Sequence, residues 1–209
     1  MTAAGALVAG LVFGLSGGVS PGPLLTLVIS ETLNHGVGAG VRVAAAPLIT
    51  DLPIVGLVLL VLSRLTEVEP ILGVVSLAGA VFLGALGVRG LAFHGAELVE
   101  GEATSRSLAK GVATNFLNPN PYLFWSTIGG PMVVRGADQG LGIAATFVVA
   151  FYLMLVGSKV VIAVAVGRSR GLLHSSAFVW LNRWLGAVLL LFAALFLRDG
   201  FGYLGVFSG

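Results

Sequence analysis

Ser16–Pro23 reads SGGVSPGP and lies inside an apolar run from about Ala3 to Ser30. Pro21 and Pro23 lack a backbone N–H, and each disfavours helix in the residue before it. Gly17, Gly18 and Gly22 add backbone freedom. The stretch therefore predicts a helix that stops and restarts within an apolar segment. The same Pro-x-Pro recurs at Pro119 and Pro121, in the Asn115–Pro121 stretch NFLNPNP, inside a second apolar run. A helix broken in a bilayer frees N–H and C=O groups, which persist only where protein, water or a ligand satisfies them. Paired interruptions in corresponding places of two halves point to a binding site between repeats. The simpler alternative is that the prolines only kink packed helices.

Composition places these runs in a membrane. Of 209 residues, 57% are hydrophobic and 10% charged, where a soluble domain carries roughly 25% charged residues. Mean hydropathy is +1.04. The chain reads as one all-α integral membrane domain over residues 1–209. The net charge is +2 with scattered basic residues, which gives no nucleic-acid footprint. Cysteine is absent, which excludes disulfides, thiolate metal sites and thiol redox chemistry. MTAAGALVAGLVFG at the start has no basic n-region and is not expected to be a cleaved signal peptide.

Six apolar runs, at about 3–30, 37–62, 71–93, 112–134, 141–166 and 177–197, are each long enough to cross a bilayer with some tilt. They predict six transmembrane helices arranged as two inverted three-helix repeats, with helices 1 and 4 broken at Pro-x-Pro. Repeat one covers about 1–94 and repeat two about 112–200. A cytoplasmic loop of about 95–111 joins them, carrying Glu97, Glu100, Glu102, Arg106 and Lys110, with a short surface helix in part of it. One set of connections holds Arg42, Arg89, Arg106, Lys110, Arg168, Arg170 and Arg183, and the opposite set Arg64, Arg135 and Arg198. The positive-inside rule makes the first set cytoplasmic, so both termini face outward from the cytoplasmic membrane.

The halves share further marks. GVGAG (Gly36–Gly40) opens the second helix and GLGIA (Gly140–Ala144) the fifth. Asp51 follows 15 positions after Gly36, and Lys159 follows 19 after Gly140. The difference of four is about one helical turn, so the two residues face alike in their repeats.

SPGPLLTLVIS followed by GVGAG, with Asp51 beyond it, resembles the lysine exporter (LysE/RhtB-type) family of amino-acid exporters. SLAKGVATNFLNPNPYLFW is similar to that family's loop into an Asn-Pro segment, and Arg183 and Gly186 in LNRWLGAVLLL to its last helix. The resemblance covers nearly the whole chain, most specifically at Pro21-Gly22-Pro23 and Asn118-Pro119. It implies six helices, export of small amino-acid-like solutes, and coupling to an ion gradient. Two departures stand where substrate contacts are expected. Leu24 replaces a polar residue common in the family, and Asn120 with Pro121 replaces a basic one.

The residues themselves define a candidate site. Helix N-termini near Gly22 and Asn120 favour an anionic group such as a carboxylate, while unwound carbonyls near Ser20 and Asn118 can accept from an ammonium or a cation. Ser20, Pro21, Gly22, Pro23, Asn115, Asn118, Pro119, Asn120 and Pro121 form the expected substrate-binding set, with Ser16 and Thr26 close by. Asp51 and Lys159 are the ion-coupling candidates. A carboxylate at membrane depth costs about 2.5–3.5 kcal/mol, so it faces a cavity or a partner; a structural ion pair is the alternative. Lys159 either pairs with Asp51 or snorkels to cytoplasmic water. Pro53 predicts a third irregularity beside Asp51.

Glu31 is expected at a solvated helix end, with a place lining the inner vestibule as the alternative. His35, His94 and His174 are expected at interfaces and not as metal ligands. Gly10, Gly14, Gly18 and Gly22 form a smooth helix face for packing within the chain, with a homodimer contact as the alternative. Trp125, Trp180, Trp184 and Tyr203 read as interface anchors, although Tyr122 and Trp125 also lie beside the second break. The expected function is a secondary transporter exporting amino acids or similar small zwitterionic solutes, coupled to a proton or cation, with no cofactor. A divalent-metal exporter is the alternative, weakened by a single carboxylate at depth where hard cations prefer several oxygens. No nucleophile or acid/base cluster of an enzyme is present.

Overall fold

The computed structural model describes residues 1–63, 69–92, 103–169 and 175–205. Arg64, His94, Glu97, Glu100, Glu102, Arg170 and His174 lie outside the described residues, as does the predicted loop up to residue 102. The described chain is helical, without strands.

Helix α1 (Ala3–Val19) starts at Thr2, whose hydroxyl accepts from Gly5 N at 3.1 Å. It stops where Pro21 withholds its donor. Helix α2 (Pro23–His35) begins on Pro23, whose fixed φ suits the first helical position. It ends at Gly36, where φ is 87° and a side chain would be strained. Helices α1 and α2 meet at 61° across the SPGP break. Helix α3 (Val37–Ala44) and helix α4 (Pro47–Ser63) follow. The irregularity expected at Pro53 is absent, since α4 runs on through Pro53; the chain turns instead at Ala45–Ala46, ahead of Pro47.

Helix α5 (Glu69–Leu91) comes next among the described residues. Helix α6 (Ala103–Phe116) starts inside the predicted loop, well before residue 112. Helix α7 (Pro119–Phe124), a π-helical turn (Trp125–Gly129) and helix α8 (Gly130–Gln139) come next. The predicted run 112–134 is thus divided by the Asn-Pro break and the π turn. Helix α9 (Leu141–Ser169) and helix α10 (Ser175–Tyr203) are long and unbroken. Among the described residues, four stretches are long and apolar enough to cross a membrane: Val37–Val58, Leu72–Leu91, Leu141–Ser169 and Val179–Tyr203. The bent pair α1–α2 makes a fifth if taken as one span.

Glycine contacts bring the helices together. A Cβ on Gly10 would lie 2.5 Å from Phe147 O, and one on Gly14 2.2 Å from Phe151 O, so α1 rides directly on the α9 backbone. A Cβ on Gly18 would run into the Ser158 hydroxyl, whereas one on Gly22 would meet only Ser20 O, at 3.9 Å. The glycine face thus packs within the chain over its first three members. Helix α5 lies as closely on α10, where a Cβ on Gly90 would approach Gly186 Cα at 2.7 Å. Helix α6 packs on α3 through Gly111 against Val43. Large apolar side chains such as Leu52, Val81, Val161 and Leu191 are exposed on α4, α5, α9 and α10. That exterior suits lipid contact.

Candidate functional site

The two breaks leave specific carbonyls without helical partners, and side chains supply them. Gly17 O would bond the N–H four residues on, but that residue is Pro21. Lys159 Nζ from α9 donates to Gly17 O instead, at 2.9 Å. Phe116 O would take the N–H of Asn120, but this amide donates to Asn118 Oδ1 at 3.0 Å. Tyr122 OH donates to Phe116 O at 2.9 Å and spans the second break. The two half-helix starts consequently differ. Asn118 caps α7 with its own side chain, whereas α2 has no side-chain cap at Gly22.

Asp51 is buried on α4. Its Oδ1 accepts from Asn115 Nδ2 at 3.0 Å and from the Thr50 hydroxyl at 3.4 Å. Its Oδ2 accepts from Trp125 Nε1 at 3.2 Å and Tyr152 OH at 3.0 Å. Asn115 Nδ2 also reaches Thr50 Oγ1 at 2.6 Å. A carboxylate at depth is stabilised by such donors from four other residues, on α4, α6, the π turn and α9. Trp125 is 2% exposed. It serves this shell and not a membrane interface, while Trp180 and Trp184 are exposed on α10 as anchors would be. Tyr152 is a polar contact of Asp51 that sequence reasoning missed. Its phenol at depth needed a partner, and that was the one signal it carried.

Asp51 and Lys159 line one cavity of about 580 Å³. Among the described residues no ion pair joins them. Both residues are 3% exposed, so the cavity holds one buried carboxylate and one buried ammonium that do not close on each other. Ser20, Pro21, Gly22, Pro23, Asn115, Asn118, Asn120 and Pro121 also line it. Pro119 alone of the expected substrate-binding set does not, being packed in the first turn of α7. Phe13, Phe124 and Phe151 form an aromatic wall, with Phe124 and Phe151 stacked at 4.8 Å. These rings were not legible as site residues in the sequence, because phenylalanine in a membrane helix carries no mark of what it faces.

Glu31 departs from its expected solvated position. It is 4% exposed, and Ser107 Oγ and Lys110 Nζ from α6 donate to its two carboxylate oxygens. His35 Nδ1 lies 3.2 Å from Oε2. Helix α6, starting early at Ala103, supplies the partners that make this burial tolerable.

Among curated proteins and among solved structures, no match to the chain is found. A family model described as LysE type translocator matches residues 15–200. Spanning both breaks, all of the cavity lining but Phe13, and each described helix in whole or part, that match means the chain belongs to the LysE type translocator family and is a membrane transport protein.

Proposed function

We propose that this protein is a secondary active exporter of amino acids or similar small zwitterionic solutes across the cytoplasmic membrane. The observation that carries the reading is the pair of opposite charges, Asp51 and Lys159, facing one cavity without pairing. A zwitterion complements that arrangement: its ammonium meets the carboxylate side, and its carboxylate meets Lys159 and the uncapped start of α2. Asp51 also has a place in coupling, taking a proton or cation when the solute leaves.

The α1–α2, α3–α4 and α5 stretches form one repeat of three spans. The α6–α8, α9 and α10 stretches form the second, inverted, with both termini outside. Packing of α1 on α9, of α6 on α3 and of α5 on α10 supports this pairing of halves, since each half lays its broken element against the other's second span. Rocking one repeat against the other would open the cavity to each side in turn.

The test is transport by the purified protein in proteoliposomes, reading solute flux and current across a panel of amino acids. Amino-acid flux driven by an imposed proton or cation gradient is the expected outcome. Flux of a divalent cation with none of any amino acid would overturn the proposal.

A further inference from the structure

Two cavities lie along α2, one at each end. The central cavity takes in its start, at Gly22, Pro23, Leu24 and Leu25. A second cavity, of about 240 Å³, takes in its far half, at Leu27, Ser30, Glu31, Asn34 and His35. Arg89 of α5, Lys110 of α6 and Asn182 of α10 complete the polar lining of the second. One apolar cluster forms a wall of both. Leu24, Leu27 and Val28 pack in it with Val43 and Ala44 of α3 and Ala163 of α9, and Leu86 of α5 packs against it. Leu24 lines the central cavity, while Leu27 and Leu86 line the second. Two cross-links tie this end of α2 to elements of the proposed second repeat. Ser107 and Lys110 of α6 hold Glu31, and Asn34 Nδ2 donates to Asn182 Oδ1 of α10 at 2.6 Å.

From this arrangement we infer that the second cavity is the cytoplasmic vestibule of the transport path, and that the Glu31–Lys110 clasp over the leucine wall is the gate between vestibule and central cavity. The inference rests on the topology proposed above and is independent of which solute is carried. In that topology the ends of α2 and α5 and the starts of α6 and α10 all face the cytoplasm. The way along α2 from Glu31 to Gly22 passes Leu27 and Leu24 over about 13 Å. Leucine side chains offer no partner to a polar group stripped of water, so this wall holds back a polar solute. A permanent seal would need that packing alone. Here a buried carboxylate, 4% exposed, is added to it. Burying a charge pair gains little net stability over an apolar contact. The Lys110 partner is partly exposed and lines the vestibule, so water reaches the ammonium as it leaves Glu31. Such a pair suits a contact between repeats that forms and breaks in each cycle.

The experiment uses a thiol in the central cavity as a reporter of access, since the chain has no cysteine of its own. Ser16→Cys places it on the α1 wall of that cavity. A small, charged, impermeant methanethiosulfonate is applied to right-side-out and to inside-out membrane vesicles holding the full chain. With the clasp and wall intact, labelling from the cytoplasmic face should be slow. Lys110→Gln breaks the ion pair and Leu27→Ala thins the wall. Each should raise the cytoplasmic labelling rate about tenfold, the usual scale of a shifted two-state equilibrium, with labelling from outside unchanged or lower. Lys110→Arg keeps the charge and should label as Lys110 does, which a role in packing alone would not require. Thermal midpoints establish that each variant is folded. No rise in either variant would overturn the inference, and so would an equal rise from both faces, which marks general loosening. A rise with Leu27→Ala alone would overturn the part given to the clasp. A rise confined to the outer face would overturn the cytoplasmic assignment of the vestibule together with the proposed topology.

Discussion

Lys159 Nζ donates to the Gly17 carbonyl at 2.9 Å, so α9 satisfies the acceptor that Pro21 orphans on α1. The same ammonium faces the cavity that holds Asp51. Lys159→Met removes both contacts. Losing the bond costs about 1–3 kcal/mol for a stranded carbonyl, and removing a charge at depth offsets part of it. The variant should fold with a lower thermal midpoint. Its affinity for L-leucine should fall about tenfold or more, the scale of a lost charge-assisted bond. An amine without a carboxylate, such as isoamylamine, should bind the variant no worse than the parent. Equal losses for both solutes in a thermal-shift titration would show that Lys159 acts on the fold alone.

Asp51 is the coupling group in the proposed cycle, and Asn115, Trp125 and Tyr152 hold it. Asp51→Asn keeps an oxygen acceptor for most of these donors and removes an unfavourable charge at depth. The variant should insert and fold but lose uphill, gradient-driven export in proteoliposomes, while solute exchange persists. Tyr152→Phe removes one donor and should lower export less. Uphill export by Asp51→Asn at the parent rate would end the coupling assignment.

Glu31 clasps α2 to α6 through Ser107 and Lys110. Removing one member of a buried pair strands the other. Glu31→Ala should lower stability by about 3 kcal/mol. Lys110→Ala should cost less, because Lys110 is partly exposed and Ser107 and His35 remain. A double-mutant cycle on thermal unfolding should give a coupling of about 0.5–3 kcal/mol between the two positions. Strict additivity would show that the ion pair contributes nothing.

Gly14 has no room for a side chain, since its Cβ would sit 2.2 Å from Phe151 O. Gly14→Val should force α1 off α9 and cost at least about 1–3 kcal/mol, the usual range for overpacking. A methyl group added at Gly157 would meet nothing within 4 Å, and Gly157→Ala should be neutral or stabilising by about 0.5–1 kcal/mol. Thermal midpoints of the two variants, measured side by side, check the α1–α9 contact. Equal tolerance at both positions would contradict it.

Because the chain has no cysteine, a single introduced thiol reports its side of the membrane. Asp138, at the end of α8, and Ser169, at the end of α9, are both exposed. Asp138→Cys should react with an impermeant maleimide only from outside the cell, and Ser169→Cys only from the cytoplasm. The reverse pattern would invert the proposed topology, and labelling of both from one side would mean that α9 does not cross.

Local chemistry settled much of this protein in advance. Proline lacks a donor wherever it stands, so the breaks at Pro21–Pro23 and Pro119–Pro121 were legible without a fold. Hydropathy marked the apolar helices, and the cost of charge at depth marked Asp51 and Lys159 as residues that must face something. Even the Gly17 carbonyl was identifiable as an orphan by counting four residues to Pro21. What met these groups was decided by tertiary packing. Trp125 and Tyr152 reach Asp51 from 74 and 101 residues away, and Lys159 reaches Gly17 from 142. Glu31 is buried only because α6 brings Ser107 and Lys110 to it. Residue type and spacing state that a polar group at depth needs a partner. The rotation and crossing of packed helices, set by many glycine and apolar contacts together, choose which partner it finds.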